Sequence, residues 1–357
     1  MKILFTFYVP SGGVETLNRL RCEALKGIGI EGHLLYLEPG SGLQNVSNIP
    51  VYISPTDDEL CALLKSNQFD AVITTSDHLM PLRLRKQGYR GPILFEAQGL
   101  GTRVQAEQAF REASPILLEY CQGVLMPPTP HLVELVSTIC PALPRYIFPN
   151  VLDTHTFSYR PLTIPEKPVI AWIGRLEENK NWRLFLHIAH SLILIRPQLM
   201  FWIFLDDRLS SEEVLNSFWQ LVHSRGLFDH VRIYPNAPHS DMPKYLSLVG
   251  DSGGFLLSTS YLEGFGYAVA EAIACRCPVL STDSDGVRFF IRHNKTGKFF
   301  DMGDVSGAVK QALELMDDQK LREDIRANGR QYISGLMSPG QYAANFHNML
   351  LSIKKNI

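Results

Sequence analysis

The chain carries almost no net charge: 34 Lys and Arg stand against 36 Asp and Glu, a formal −2. Nucleic-acid ligands usually meet a basic face, so the composition gives no electrostatic case for one. Cysteine is sparse. Cys22, Cys61, Cys121, Cys140, Cys275 and Cys277 are scattered, and only the last two are close. A C-x-C with no second cluster argues against zinc or a disulfide framework and for reduced core thiols, hence a cytosolic compartment. No apolar run approaches the roughly 20 residues of a membrane span, so the chain reads as soluble. Its start, Met1 to Pro10, reads as a first β-strand and not as a signal peptide. Low-complexity tracts and short-period repeats are missing. So is a complete G-x-G-x-x-G, which leaves a dinucleotide-dependent dehydrogenase the weakest enzymatic reading. There is no convincing Ser-His-Asp set and no paired catalytic acids. A D-x-D at a strand end is missing too; Asp206-Asp207 and Asp283-x-Asp285 come nearest and fit poorly.

What the chain does have is alternation. At 357 residues it suits two domains of roughly 150 to 200 residues. The apolar fraction of 45% is ordinary. Short apolar runs alternate with helical patterns, the mark of an α/β fold with mostly parallel sheets. Strands are expected at Ile3–Val9, His33–Leu37, Ala71–Thr74, Ile93–Phe95, Val124–Met126 and Tyr146–Phe148. A helix from about Val14 to Lys26 lies between the first two and is ended by Gly27 and Gly29. From Pro149 to Pro168 four prolines among polar residues read as a linker. A second series follows at Val169–Ile173, Met200–Leu205, Val231–Tyr234, Gly254–Leu257 and Pro278–Ser281. After the break at Ser338-Pro339-Gly340, Tyr342, Phe346, Met349, Leu350 and Ile353 define one apolar helical face that must be buried on something. These patterns give domains at 1–155 and 156–337 and a terminal helix over 338–357.

The most informative stretch is Glu263-Gly264-Phe265-Gly266-Tyr267-Ala268-Val269-Ala270-Glu271. Two carboxylates eight positions apart flank a glycine-rich turn that follows a hydrophobic strand and opens a helix. The first turn of a helix offers unpaired N–H groups and the positive end of its dipole, so such a turn suits an anion. An acidic pair beside a phosphate cradle suits a ligand with phosphate and several hydroxyls, a nucleotide sugar. Ile173-Gly174-Arg175-Leu176-Glu177-Glu178-Asn179-Lys180 follows the first strand of the second half and sets two cations five apart. They are placed to hold a diphosphate gaining negative charge. On spacing alone, a solvated loop in which Lys180 and Arg183 offset Glu177 and Glu178 remains equally open. Ser11-Gly12-Gly13-Val14-Glu15 follows the first strand; it is either a weak phosphate cradle or a plain tight turn.

Together these motifs resemble retaining glycosyltransferases of family 4, which carry an E-x7-E signature and a G-R-x4-K motif. The resemblance spans nearly the whole chain and is strongest from Val169 to Asp304. It implies the GT-B fold: two Rossmann-like, doubly wound parallel-sheet domains facing a central cleft, an acceptor-binding domain at 1–155 and a donor-binding domain at 156–337, with the last helix crossing back onto the first domain. It implies that Arg175 and Lys180 stabilise the leaving diphosphate and that Glu263 contacts the donor sugar. Glu271 would hold the ribose hydroxyls, and Gly12, Gly13, Gly174, Gly264, Phe265 and Gly266 would line the donor, where glycine permits close backbone approach. Pro149-Asn150-Val151-Leu152-Asp153 resembles the family's P-N-G-V-D at the domain junction, with Asn150 and Asp153 expected to bond local backbone in turns. Tyr234 to Pro238 falls at the level of the base.

The match departs at three places. Gln98 stands where a histidine is common near the donor sugar, and an amide cannot carry a proton at neutral pH. Around Thr74 to Ser76 a second histidine is replaced, with Asp77 and His78 nearby as substitutes or as surface and capping residues. Leu205-Asp206-Asp207 stands where relatives have G-x-G. Glu15, Asp77 and Gln98 are therefore set down as sugar- or acceptor-side candidates. The resulting expectation is a metal-independent retaining hexosyltransferase without a cofactor, using a UDP- or GDP-sugar and an acceptor hydroxyl on a saccharide, lipid-linked glycan or small molecule. Alternatives are a non-catalytic sugar-nucleotide-binding protein of this fold, or an epimerase or phosphorylase. The run His78–Arg90, with Arg83, Arg85, Lys86 and Arg90 among leucines, is an ordinary solvated helix or a basic surface for an anionic acceptor or lipid head groups; the latter would put a cytoplasmic protein at the inner face of the membrane.

Overall fold

A computed structural model of the chain describes residues 1–45, 48–54, 56–206 and 210–355. These residues divide into two compact units. One comprises Met1–Asp153 with Leu336–Ile357, the other Thr154–Gly335.

The first unit runs β1 (Lys2–Phe7), α1 (Gly12–Lys26), β2 (Glu31–Tyr36), β3 (Val51–Ile53), α2 (Asp57–Ser66), β4 (Ala71–Thr75), α3 (Met80–Lys86), β5 (Ile93–Glu96), α4 (Arg103–Tyr120), β6 (Val124–Met126), α5 (Pro130–Ile139) and β7 (Arg145–Ile147). Its sheet has the order β3-β2-β1-β4-β5-β6-β7 among the described residues, and neighbouring strands pair in parallel. Runs such as Ile3-Leu4-Phe5 and Ala71-Val72-Ile73 are buried throughout, as parallel strands covered on both faces must be. The order reverses between β1 and β4, and ligands of such sheets bind beyond the carboxyl ends of the strands at that point.

The second unit runs β8 (Val169–Ile173), α6 (Trp182–Ile195), β9 (Met200–Leu205), α7 (Glu212–Ser224), β10 (Val231–Pro235), α8 (Met242–Asp251), β11 (Phe255–Ser258), α9 (Tyr267–Ala274), β12 (Val279–Thr282), β13 (Lys298–Phe300), α10 (Val305–Asp317) and α11 (Gln319–Leu336). Its sheet has the order β10-β9-β8-β11-β12-β13 among the described residues. The reversal lies between β8 and β11, which pair in parallel from Phe255 opposite Ile170. The loops that leave these two strands carry the Lys180 and Glu263 motifs.

Both sheets are wound as the alternation of apolar runs predicts. Two strands escaped it. β3 and β13 are three residues long, lie at sheet edges and are partly exposed at Val51, Tyr52, Ile53 and Phe299, so neither presents a continuous apolar run.

The terminal helix α12 (Pro339–Lys355) belongs to the first unit. Tyr342, Phe346, Met349, Leu350 and Ile353 are all buried, and Phe346 lies 5.9 Å, centroid to centroid, from Phe5 on β1. Burying side chains of this kind is worth about 1.5–3 kcal/mol each, enough to hold a helix that follows the whole second unit in sequence. Beneath it sits a buried ion pair. Arg21 Nη1 donates to Glu96 Oε1 at 2.8 Å and Oε2 at 2.7 Å, Thr75 Oγ1 donates to Glu96 Oε2 at 2.7 Å, and Phe5 covers the guanidinium at 3.9 Å. Burial opposes the Arg21 charge, yet Glu96 more than offsets it and holds the guanidinium above its ordinary pKa. All six thiols are free and five are buried. Among the described residues no helix is long and apolar enough to cross a membrane.

Candidate functional site

The site in the second unit is built on the backbone of two adjacent loops. Gly174 follows β8 directly. A Cβ there would lie 2.9 Å from the Trp172 ring and 3.2 Å from the Lys180 side chain, so only glycine lets the loop pass. The chain then makes one 3₁₀ turn over Glu178–Lys180 and enters α6 through Asn181 at φ +51°. The loop after β11 is stitched to this turn. Asn179 Nδ2 donates to the Leu262 carbonyl at 2.9 Å, Leu262 N donates to Asn179 Oδ1 at 3.2 Å, and Tyr261 N donates to the Asn179 carbonyl at 2.8 Å. Thr259 Oγ1 donates to the Lys180 carbonyl at 2.9 Å and accepts from Trp172 Nε1 at 3.1 Å.

So held, Lys180 Nζ reaches Glu263 Oε1 at 2.7 Å, and the same oxygen accepts from Ser260 Oγ at 2.7 Å. Glu263 is fixed at its backbone as well: its N donates to Ser284 O at 2.8 Å and its O accepts from Gly286 N at 3.0 Å. The two side chains are 22% and 14% exposed, which leaves them reachable by a ligand yet largely out of bulk water. Arg175 is more open; its Nη2 donates to Glu177 Oε1 at 3.1 Å. The reading in which Lys180 and Arg183 offset Glu177 and Glu178 is corrected here. Lys180 turns to Glu263, and Arg183 lies over the Trp182 ring at 4.1 Å, because stacking on an aromatic face beats a solvated ion pair there.

Gly266 caps α9 at φ +87°, a conformation glycine adopts without strain, and a Cβ there would lie 2.7 Å from Val287 Cγ1. Phe265 is buried against Tyr267 and Phe290, so this residue offers a ligand its backbone and not its ring. A glycine cap supplies no side-chain acceptor, and the helix start keeps its preference for an anion. Glu271, one turn further, is buried, and its Oε1 lies 2.8 Å from His239 Nε2. His239 comes from the turn after β10 and packs on Phe157 at 4.8 Å. Asn179, Ser260 and His239 are thus the members that sequence reasoning left out. Asn179 stood inside the quoted motif. His239 directly follows Pro238, yet nothing local announces its carboxylate partner.

In the first unit Gly12 opens α1 at φ +63°, with Gly13 in the first turn. Glu15 is buried, pairs with Arg19 and accepts from Tyr36 Oη at 3.0 Å, so its carboxylate is engaged within its own unit. Asp77 follows β4. Its Oδ1 accepts from Leu79 N at 3.0 Å and Met80 N at 3.1 Å. Burial raises its carboxyl above the usual range against those bonds. Burial and the Asp77 charge together push the Tyr8 phenol up to about 12. Gln98 Nε2 donates to Asn150 Oδ1 at 2.9 Å, and Asn150 Nδ2 returns a bond to Gln98 Oε1 at 3.1 Å. The expectation that Asn150 bonds local backbone is therefore corrected: two buried amides satisfy each other across 52 residues, since either alone would be left unpaired. Two of the four cations in the run His78–Arg90 are engaged internally, while Lys86 and Arg90 are exposed. Arg83 binds Asp57 at 2.5 Å, and Arg85 donates to the carbonyls of Tyr89, Gly91 and Tyr120. Asp207 lies outside the described residues.

The structure thus brings Gly174, Arg175, Lys180, Glu263, Gly264, Phe265, Gly266 and Glu271 to the loops and helix start around the β8–β11 reversal of one unit. Gly12, Gly13, Glu15, Asp77 and Gln98 sit near the carboxyl ends of β1, β4 and β5 in the other.

Comparison with known proteins bears on the second unit most directly. Residues 156–332 match the family model of glycosyl transferases group 1. The 2-deoxystreptamine N-acetyl-D-glucosaminyltransferase of Niallia circulans is 25% identical over 188 residues, 52% of this chain and 46% of that protein. The lipopolysaccharide core biosynthesis glycosyltransferase LpsE of Rhizobium meliloti is 26% identical over 176 residues, 49% of this chain and 47% of that protein. The matches thus span less than half the length of either relative. Among solved structures, Anabaena Alr3699/HepE in complex with UDP-glucose superposes with a TM-score of 0.85 at 15% identity, over 99% of this chain and 100% of that one. Sucrose-phosphate synthase from Thermosynechococcus elongatus gives 0.81 at 17%, over 100% of both. The fold is of the GT-B type, and the comparisons support a glycosyltransferase.

Proposed function

We propose that this chain is a retaining, metal-independent glycosyltransferase of family 4. It moves a sugar from a nucleoside diphosphate sugar, UDP- or GDP-linked, to an acceptor hydroxyl. The observation that carries the reading is the Lys180–Glu263 contact of 2.7 Å at the reversal of the second sheet, beside a glycine-capped helix start.

The chemistry follows from charge. As the bond between sugar C1 and the diphosphate oxygen lengthens, negative charge grows on the phosphate. Lys180, Arg175 and the amides of Gly264, Phe265 and Gly266 meet that charge, most strongly in the transition state. Glu263 holds Lys180 in position and accepts from the sugar hydroxyls. Glu271 and His239 take the ribose. The acceptor oxygen bonds to C1 and its proton passes to the departing phosphate oxygen, so no protein nucleophile is required. Gly12, Gly13 and Gly174 let backbone approach the donor, the second unit binds the donor, and the first unit binds the acceptor. HepE bound to UDP-glucose supports a uridine nucleotide as the first donor to try.

A second reading, a non-catalytic sugar-nucleotide binder, is favoured by one feature: Gln98 is buried and pairs with Asn150 instead of facing a substrate. One experiment separates the two. The purified chain is incubated with UDP-, GDP-, ADP- and dTDP-sugars, and both binding and nucleotide release are followed. Release from at least one donor supports the transferase; saturable binding with no release, with or without added acceptors, supports the binder.

A further inference from the structure

The end of the second unit opposite Lys180 carries a separate group of cations. Arg276 follows α9 and precedes β12, so it lies at the amino ends of the strands, whereas Glu263 lies beyond the carboxyl end of the parallel neighbour β11. Arg276 N donates to Ile273 O and Cys277 N to Ala272 O, which closes the helix by the pattern that normally places glycine at this position. Here the position is an arginine at φ +61°. Of the six non-glycine residues with positive φ among the described residues, four are Asn or Asp, which tolerate it. Arg276 is one of the other two, and its side chain stands there against a backbone preference.

That side chain helps to line a hollow of about 350 Å³ with Arg330, Gln331, Ser334 and Ala327 of α11. Arg322 and Arg326 lie on the same helix at four-residue steps below Arg330. Against four arginines stand two carboxylates: Glu323, which binds Arg276 and Arg326, and Asp251, which binds Arg326. Among the described residues Arg276 Nε and Arg322 Nη1 are buried without a hydrogen-bond partner; Arg322 is 6% exposed, donates to the Gly250 and Gly254 carbonyls and adds its charge from outside the lining of the hollow. Arg330 is exposed and makes no ion pair among the described residues. Guanidinium groups with donors to spare are the usual partners of phosphate oxygens.

We propose that this hollow binds a small phosphate-bearing ligand through Arg276 and Arg330, with Gln331 and Ser334 as further donors. The site is distinct from that of Lys180 and does not depend on the transferase reading. Arg330→Gln removes an exposed charge that holds nothing in place, and Arg276→Gly restores the residue its backbone favours, so both variants fold. Inorganic phosphate and pyrophosphate are titrated calorimetrically into the full chain, into each variant, and into Lys180→Ala. Saturable binding that persists in Lys180→Ala and weakens about tenfold or more in R330Q and R276G is the expected result. Equal binding in all four proteins, loss in Lys180→Ala alone, or no binding to any would overturn it. Retention on phosphatidic acid vesicles but not phosphatidylcholine, lost in R330Q and unaccompanied by binding of free phosphate, would overturn the small-molecule assignment in favour of a lipid head group.

Discussion

Lys180 and Glu263 stand 83 residues apart in the chain, and Lys180 Nζ lies 2.7 Å from Glu263 Oε1. The sheet order makes this meeting unavoidable: β8 and β11 are neighbours, and each residue belongs to the loop leaving one of them. Replacing Lys180 by alanine is expected to slow nucleotide release from the donor by about 10²–10³, or roughly 3–4 kcal/mol, as loss of one transition-state donor does. The pair is partly exposed, so the midpoint of thermal unfolding should move little. A near-normal release rate in a folded Lys180→Ala variant would falsify the assignment.

Glu271 and His239 make a second contact with a separable consequence. The carboxylate is buried and its one partner among the described residues is the imidazole at 2.8 Å; in the proposed reading the pair presents a fixed acceptor to ribose hydroxyls. Glu271→Ala is expected to weaken binding of the free nucleoside diphosphate by about ten- to a hundredfold, the value of hydrogen bonds to a charged group. The rate at saturating donor should change less. Calorimetric titration with UDP and GDP checks this, and unaltered affinity for both would remove the ribose role.

The fold was legible from apolar runs because buried parallel strands must be continuous. Val169–Ile173 and Met200–Leu205 coincide with β8 and β9 for that reason, while the partly exposed edges β3 and β13 offered no such run. At the site, the residues of the Gly174–Lys180 and Glu263–Glu271 motifs could be named because glycine and cations at a strand end suit an anion and their spacing resembles the family's two motifs. Their partners could not. Asn179 to Leu262, Glu271 to His239 and Gln98 to Asn150 are set by tertiary placement across 83, 32 and 52 residues. A polar residue's best hydrogen-bond partner is decided by what burial leaves within reach.

The Arg21–Glu96 pair tests the first unit's core. Both side chains are buried, and the guanidinium reaches both carboxylate oxygens. Arg21→Met is expected to cost about 3–5 kcal/mol by stranding Glu96, whereas Arg21→Met with Glu96→Leu should recover most of the loss. Urea unfolding of the wild type, of Arg21→Met, of Glu96→Leu and of the double variant measures this. A double variant as unstable as the worse single one would show that the pair does more than satisfy itself.

The thiols should be nearly inert in the folded protein. Burial pushes Cys22, Cys121 and Cys277 up to about 12 and raises Cys275 as well. At pH 8 a thiol of pKa 12 is ionised about a thousandfold less than an ordinary one near 8.5–9. With a disulfide reagent at pH 8, Cys61, which is partly exposed, should react promptly. The other five should react only after denaturant is added. Rapid native-state reaction of several thiols would contradict the packing of both cores.

Asp77 should make stability fall as pH rises. Burial raises its carboxyl in the folded protein, so the fold binds that proton more firmly than the unfolded chain does. Its stabilising contribution is therefore complete below the unfolded value near 3.9 and is lost as pH climbs through the folded value. Both backbone N–H groups that Asp77 caps bind the same oxygen, Oδ1. An amide oxygen can take that place, so Asp77→Asn keeps the cap while removing the charge and the carboxylate's bond to Tyr8. The variant is expected to be more stable than the wild type at pH 7, with the gain vanishing as pH falls below about 3.9. Its Tyr8 phenol, relieved of the second cause of its upward shift, should ionise at lower pH, which ultraviolet titration of tyrosinate reports. Equal stability of the two proteins at pH 7 together with an unmoved Tyr8 would mean that the Asp77 charge is screened in solution, and that the carboxylate is no more than a helix cap.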